Sequence, residues 1–154
     1  MLLRKAFENE VTVLTDISIR AFHSDELIGM EANDGPPDYD SVPWHEEMSR
    51  ENHLYTYIND KGDIVGGAVL FLSADKLYIG RIFIDPHYFR KGYGMSIMEN
   101  IEETFSDTNC FYLDTPIDNI RTNSLYQKLG YQEVERDDNF ISYVKYREKK
   151  SNFI

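Results

Sequence analysis

Leu77-Tyr78-Ile79-Gly80-Arg81-Ile82-Phe83-Ile84-Asp85-Pro86-His87-Tyr88-Phe89-Arg90-Lys91-Gly92-Tyr93-Gly94-Met95 is the stretch that decides the fold. Leu77 to Ile84 is a near-continuous apolar run, the pattern of a strand inside a sheet. Asp85-Pro86 ends it, because the residue before proline is held extended and proline cannot donate to a ladder. From Gly94 onward Ile97, Met98, Ile101 and Phe105 recur at helical spacing, which predicts a helix of about three turns with one apolar face. Gly92 and Gly94 stand at its mouth, where the first amides have no partner within the helix and glycine lets a ligand come close. The helix dipole favours an anion there, and Arg90 and Lys91 add full positive charge. A diphosphate suits that point; a plain tight turn is the alternative for an isolated Gly-x-Gly. The third glycine of a dinucleotide fingerprint is missing, as is the Gly-Lys-Ser/Thr of a Walker loop.

Upstream, Leu2 to Phe7 reads as an edge strand, and Val11 to Phe22 as a helix with Val11, Leu14, Ile17, Ser18 and Ala21 on one face. Leu54 to Ile58, a turn at Asn59 to Gly62, and the apolar run Ile64 to Leu72 lead through Ser73 to Asp75 into Leu77 to Ile84, a meander of strands. Downstream, Phe111 to Leu113 is a short strand, and Ile120 to Leu129 is a helix stopped by Gly130. Tyr131 to Val134 and Phe140 to Tyr146 are closing strands. The pattern is α/β, a mixed sheet with helices on its faces. Asp25 to Glu51 stands apart. It has nine acidic residues against one basic, with Gly35, Pro36, Pro37 and Pro43, and reads as an irregular surface segment; Trp44 to His53, at its end and beyond, reads as a short second helix.

The 154 residues suit one domain of about 100 to 200 residues, here 1–150, with 25–51 as a variable segment and 151–154 as a tail. A formal charge of −11 disfavours nucleic acid and anionic membrane as partners. Cys110 is the one cysteine, which excludes an internal disulfide and a thiolate metal cluster. The start of the chain becomes charged at Arg4 and Lys5 without the apolar core of a signal peptide, so a cytoplasmic location is expected. His23 and His87 have no metal-ligand spacing, and no metal is expected.

A second motif, Asn119-Ile120-Arg121-Thr122-Asn123-Ser124-Leu125-Tyr126-Gln127-Lys128-Leu129-Gly130-Tyr131, follows the glycine loop at a distance. Together the two resemble the GCN5-related N-acetyltransferase superfamily, with its Arg/Gln-x-x-Gly-x-Gly/Ala loop and its later Asn...Leu-Tyr-x-Lys-Leu-Gly-Phe segment. The late segment matches at Asn119, Leu125, Tyr126, Lys128, Leu129 and Gly130, with Tyr131 where Phe is usual. The resemblance covers about Leu77 to Val134. It implies a mostly antiparallel central sheet with a splayed parallel strand pair, here Leu77 to Ile84 and Phe111 to Leu113, and acetyl-CoA as cosubstrate in the opening between them. It also implies that the pyrophosphate rests on the amides of Arg90, Lys91, Gly92, Tyr93, Gly94 and Met95. Main-chain groups of Ile82, Phe83 and Ile84 would pair with the pantetheine arm, with their side chains in the core. Phe89 stands at the loop's usual Arg/Gln position, which removes one expected contact and leaves Arg90 as its substitute. Asn119 either contacts the cofactor or caps the helix. Members of the superfamily often pair through late strands, so Phe140 to Tyr146 is a candidate homodimer surface.

Acetylating a primary amine requires loss of a proton from a group with a pKa near ~10.4, stabilisation of an oxyanion, and a proton for the departing thiolate. Tyr126, a phenol protonated at neutral pH, is the expected acid in preference to a packing aromatic. Tyr78 occupies the strand position where some members carry a glutamate base. His45, His53, Glu46 and Glu47 are candidate bases or plain surface residues. The acidic segment with Tyr39 and Trp44 either draws a polycationic acceptor or serves solubility. The expected activity is transfer of an acetyl group from acetyl-CoA to a primary amine of a small molecule or peptide, directly in a ternary complex. The alternatives are a non-catalytic acyl-CoA sensor or interaction module, and a structural domain without a ligand.

Overall fold

The computed structural model describes residues 1–24 and 35–147. Residues 25–34 of the acidic segment and the 151–154 tail therefore lie outside the described residues. The strands are β1 (Leu2–Lys5), β2 (Leu54–Ile58), β3 (Ile64–Ser73), β4 (Lys76–Ile84), β5 (Cys110–Pro116), β6 (Gln132–Arg136) and β7 (Phe140–Tyr146). They form one seven-stranded sheet in the order β1-β2-β3-β4-β5-β7-β6. Every neighbouring pair is antiparallel except β4 and β5, which run parallel.

Among the described residues four α-helices cover the two faces: α1 (Val11–His23), α2 (Val42–Arg50), α3 (Tyr93–Thr104) and α4 (Ile120–Lys128). Val11, Leu14, Ile17 and Ala21 of α1 and Met48 of α2 pack with Leu54, Val69 and Phe83 of the sheet. On the opposite face Ile97, Met98 and Ile101 of α3 and Tyr126 of α4 pack with Leu77, Ile79, Phe111 and Leu113. Both layers follow from period-3.6 helices meeting period-2 strands. Among the described residues no helix is long and apolar enough to cross a membrane.

Several expected boundaries move for local reasons. The irregular segment gives way to α2 at Val42 rather than Trp44, because the Ser41 hydroxyl accepts from the Trp44 amide at 3.2 Å and Pro43 fits the first turn. Helix α3 starts at Tyr93, one residue before Gly94, with Gly92 as its cap. Strand β5 runs to Pro116 rather than Leu113, since β7 pairs with it along its whole length, from Cys110 opposite Tyr146 to Pro116 opposite Phe140. Strand β7 thus has both edges paired, and the edge strand at that end of the sheet is β6.

A bulge in β4 has the largest consequence. Val69 of β3 pairs with Arg81, and the next residue, Leu70, pairs with Ile79, so Gly80 is the extra residue. An added residue flips the alternation beyond it. Leu77 and Ile79 belong to the α3/α4 side, while Phe83 belongs to the α1/α2 side. Without the bulge Arg81 would share the core face of Leu77 and Ile79.

Close approach of β3 to the far half of β4 rests on Gly66, whose added Cβ would lie 2.2 Å from the Phe83 carbonyl oxygen. Gly66→Ala is expected to cost about 1–3 kcal/mol or more through forced strand separation. Gly62→Ala, at φ +86 in open space, should cost only about 1 kcal/mol of backbone strain. Urea unfolding of the two variants checks this order.

Candidate active site

Parallel pairing of β4 with β5 is confined to Lys76 with Cys110, Leu77 with Phe111 and Tyr78 with Tyr112. Beyond Tyr78 the two strands continue to Ile84 and Pro116 with no ladder between them. This splay opens a cleft of about 800 Å³. Its walls include Tyr78, Gly80, Arg81 and Ile82 of β4, Asp114, Thr115 and Pro116 of β5, and Asn119, Thr122 and Tyr126 of the α4 region. The β6–β7 hairpin and residues Gly35, Pro36 and Pro37 close its sides. Ile82, Phe83 and Ile84 pair with Ala68, Gly67 and Gly66 of β3, which leaves the other edge of β4 without a strand partner. Phe83 is buried, and the half-buried Ile82 and Ile84 pack on the core, as expected of these side chains.

The loop after β4 is built from an anchored start and a strained middle. Asp85 holds the start. Its carboxylate accepts from Arg20 of α1 at 2.7 Å and from the His87 amide at 3.1 Å, and its own amide donates to the Val65 carbonyl at 2.8 Å. Burial alone would raise the Asp85 pKa, but the Arg20 hydrogen bond and the His87 amide outweigh it and hold the carboxyl below its ordinary value. Arg90 (φ +65) and Gly92 (φ +78) then take the left-handed conformation, a costly choice for arginine. The amides of Arg90, Lys91, Gly92, Tyr93, Gly94 and Met95 have no hydrogen-bond acceptor among the described residues; the first bond of the turn runs from Ser96 to the Gly92 carbonyl. A Cβ at Gly94 would meet only Leu125, at an ordinary 3.5 Å. The protein's own packing therefore does not require glycine there. Phe89 is half-buried, and the Arg121 guanidinium of α4 lies 4.7 Å over its ring. The spacing of the motif alone did not reveal this contact between Phe89 and Arg121.

Tyr126 lies 6% exposed, its ring 6.0 Å from that of Tyr131 and 5.9 Å from that of Tyr143. Burial pushes its phenol pKa well above the ordinary value, so it stays protonated. A polar network fixes its helix. The Asn119 side chain caps α4 by accepting from the Thr122 amide at 3.1 Å, and Thr115 and Thr122 share a 2.7 Å hydroxyl contact. The Asn123 amide donates to the carbonyls of Pro116 and Asn119, and its oxygen accepts from Tyr143 at 2.7 Å. Of the two roles open to Asn119, the cap is the one visible in the geometry, and the residue also borders the cleft.

On the opposite, α1/α2 side lies a carboxylate that the sequence did not single out. Asp114 accepts from the Tyr78 hydroxyl at 3.1 Å and from the Ser142 hydroxyl at 2.5 Å. Burial, then the Asp114 charge and this hydrogen bond, push the Tyr78 pKa up to about 12. The candidate bases of the variable segment stand elsewhere. His45 is a fully buried residue of α2, with Nδ1 2.7 Å from the Ser41 carbonyl and its pKa lowered chiefly by burial. His53 sits 3.0 Å from the Leu70 carbonyl, Glu46 and Glu47 are exposed, and none of the four lines the cleft. His23 contacts the Tyr39 hydroxyl at 2.8 Å and His87 is exposed.

A family model described as Acetyltransferase (GNAT) family matches residues 14–131. The [Ribosomal protein bS18]-alanine N-acetyltransferase of Escherichia coli K12 is 24% identical over 99 residues, 60% of this chain and 67% of that protein. A protein of Bacillus subtilis subsp. natto named Probable spermine N(1)-acetyltransferase is 31% identical over 99 residues, 56% of this chain and 65% of that protein. The chain thus spans about two thirds of these curated relatives. Among solved structures, PaiA N-acetyltransferase of Thermoplasma acidophilum in complex with coenzyme A superposes with a TM-score of 0.82 at 16% identity, over 95% of this chain and 98% of that one. The Escherichia coli ribosomal-protein-S18-alanine N-acetyltransferase gives 0.76 at 16% identity, over 99% and 98%. At such identities the likeness is one of fold.

Because the folded Asp85 pKa is depressed, its stabilising contribution is present above the unfolded value of about 3.9 and is lost as pH falls through the folded one. Asp85→Asn should therefore cost about 1 kcal/mol at pH 7, kept modest by the half-exposed Arg20. The gap in Tm between wild type and variant should close towards pH 3, as read by calorimetry at each pH.

Proposed function

The chain belongs to the acetyltransferase (GNAT) family, and from that premise we propose that residues 1–150 form one catalytic domain that transfers an acetyl group from acetyl-CoA to a primary amine of a small molecule or peptide, directly within a ternary complex. The observation that carries this reading is the run of unpartnered amides from Arg90 to Met95 at the mouth of α3, in the loop that follows β4 and touches α4 at Leu125 and Arg121. Buried or ligand-facing amides call for acceptors, and phosphate oxygens meet that demand at a helix N-terminus. The names of the curated relatives, which describe acetyl transfer to amines, point the same way.

Acetyl-CoA, when bound, supplies the acetyl group as an activated thioester. The amides of residues 90–95, with Arg90, Lys91 and Arg121 close by, would hold its phosphates. The unpaired edge of β4 at Ile82, Phe83 and Ile84 offers main-chain groups to the arm. Asp114 receives the acceptor's ammonium group and draws its proton away before attack, a role suited to a carboxylate held by two neutral hydroxyls. Tyr126 holds a proton for the leaving thiolate, and its raised pKa keeps that proton in place up to alkaline pH. Acid and carboxylate reach one cleft from opposite faces of the sheet, which favours direct transfer over a covalent acyl-enzyme. Cys110, the one thiol, is buried at the closed end of the strand pair with its pKa raised by burial.

Free-thiol release from acetyl-CoA with a panel of amines tests the activity. Tyr126→Phe should lower kcat by about 10²- to 10⁴-fold with little change in KM for acetyl-CoA. A variant that changes KM alone would refute the acid assignment, and coenzyme A binding without release for any amine would favour a sensor. Coenzyme A at 100 times its Kd should raise Tm by roughly 5–10 °C. Gly94→Ala, which the fold accommodates, should at least halve that rise.

A further inference from the structure

Deepening that acetyltransferase reading, we infer that the acceptor carries an anionic carboxylate as well as its amine, and that Arg81 is the residue that recognises it. The bulge at Gly80 turns Arg81 onto the same side of the sheet as Tyr78, within the wall of the cleft. There its guanidinium lies 4.3 Å over the Trp44 ring, one nitrogen donating to the Pro37 carbonyl at 3.0 Å. Its other terminal nitrogen, Nη1, is enclosed and has no acceptor. No carboxylate among the described residues forms an ion pair with it, and Asp38 attracts it only through space. An enclosed guanidinium N–H left unbonded is expensive, and a planar fork beside an aromatic face is the geometry that binds carboxylates in two-point fashion.

The remaining charges of the cleft sort the two ends of such a ligand. Arg136 is engaged by Glu133 at 2.5 Å, and the Asp137 carboxylate by the amides of Asn139 and Phe140 at 2.8 and 2.7 Å. Asp114 has only hydroxyl donors. Among the described residues, Asp114 and Glu135 border this opening without a cation, and Arg81 borders it without an anion. A zwitterion satisfies both kinds of charge, its ammonium at Asp114 and its carboxylate at Arg81, whereas a polyamine leaves Arg81 unpaired and meets its repulsion. Amino acids and short peptides with a free carboxylate fit this pattern.

Two measurements test the assignment. In the first, wild type, Arg81→Gln and Arg81→Lys are assayed with amino acids of graded length and dipeptides, each paired with its carboxamide, and with spermidine. Wild type should favour carboxylate over carboxamide by about 10- to 100-fold in kcat/KM. Arg81→Gln should abolish that preference while leaving the carboxamide rate within a few-fold, and Arg81→Lys should restore part of it. Equal rates for the paired acceptors, a preference for spermidine, or an equal loss on both members of each pair in Arg81→Gln would overturn the proposal. The second measurement needs no turnover. Trp44 is the chain's one tryptophan, and its contact with Arg81 makes its emission a reporter of carboxylate binding in the presence of coenzyme A. Saturable change with the carboxylates and none with the carboxamides is expected; no change with any carboxylate refutes the role of Arg81. Absence of thiol release with every amine would count against acetyl transfer, while the emission titration would still decide the Arg81 assignment.

Discussion

Three residues of parallel pairing, and no more, join β4 to β5, and the rest of the molecule is arranged around what happens where that pairing stops. A sheet that closed over its full length would have a continuous core and no cleft. Here the antiparallel partners on either side, β3 and β7, stay registered to the strand ends, so the divergence is borne entirely between the two central strands. The open edge of β4 keeps main-chain groups without strand partners in the middle of a folded sheet. Such groups are tolerable only if water or a ligand takes their hydrogen bonds.

Strain and fixed charge accumulate around that opening. Arg90 in a left-handed conformation and the unbonded amides after it are held by an anchor outside the loop, Asp85 tied to Arg20 and to the Val65 carbonyl. Helix α4 is held by its own cap and by the Asn123–Tyr143 bond, which keeps Tyr126 at the cleft while its ring is packed. The loop and α4 are thus both fixed by hydrogen bonds to other parts of the chain, the kind of support that preorganisation requires.

The cleft shares the acidic balance of the chain, with Asp114, Glu135 and Asp137 against Arg81 and Arg136 in its lining. The net −11 and the acidic segment left a polycationic acceptor and plain solubility as readings, and within the described cleft Arg81 stands out as an enclosed cation among carboxylates. Composition averages over the surface, whereas recognition depends on the few groups that share one opening. Of the acidic segment, residues 25–34 lie outside the described residues, and the exposed Glu46 and Glu47 of α2 are not among the residues that line the cleft.

Much was legible in the chain by itself. Apolar alternation and runs gave the strands, helical spacing gave α1, α3 and α4, Asp85-Pro86 marked the end of β4, and the two glycines and the Leu-Tyr-x-Lys-Leu-Gly string marked the loop and Tyr126. These signals are local, set by backbone preference and by burial along one element. Asp114, the Arg121–Phe89 contact and the orientation of Arg81 were not legible, because each depends on which residues of distant segments come together. Strict alternation through Leu77, Ile79, Arg81 and Phe83 would put the arginine in the core; the pairing with β3 inserts Gly80 as a bulge and turns it out. Sequence periodicity determines that a strand has two faces, but only the register with its neighbours decides which face each residue occupies.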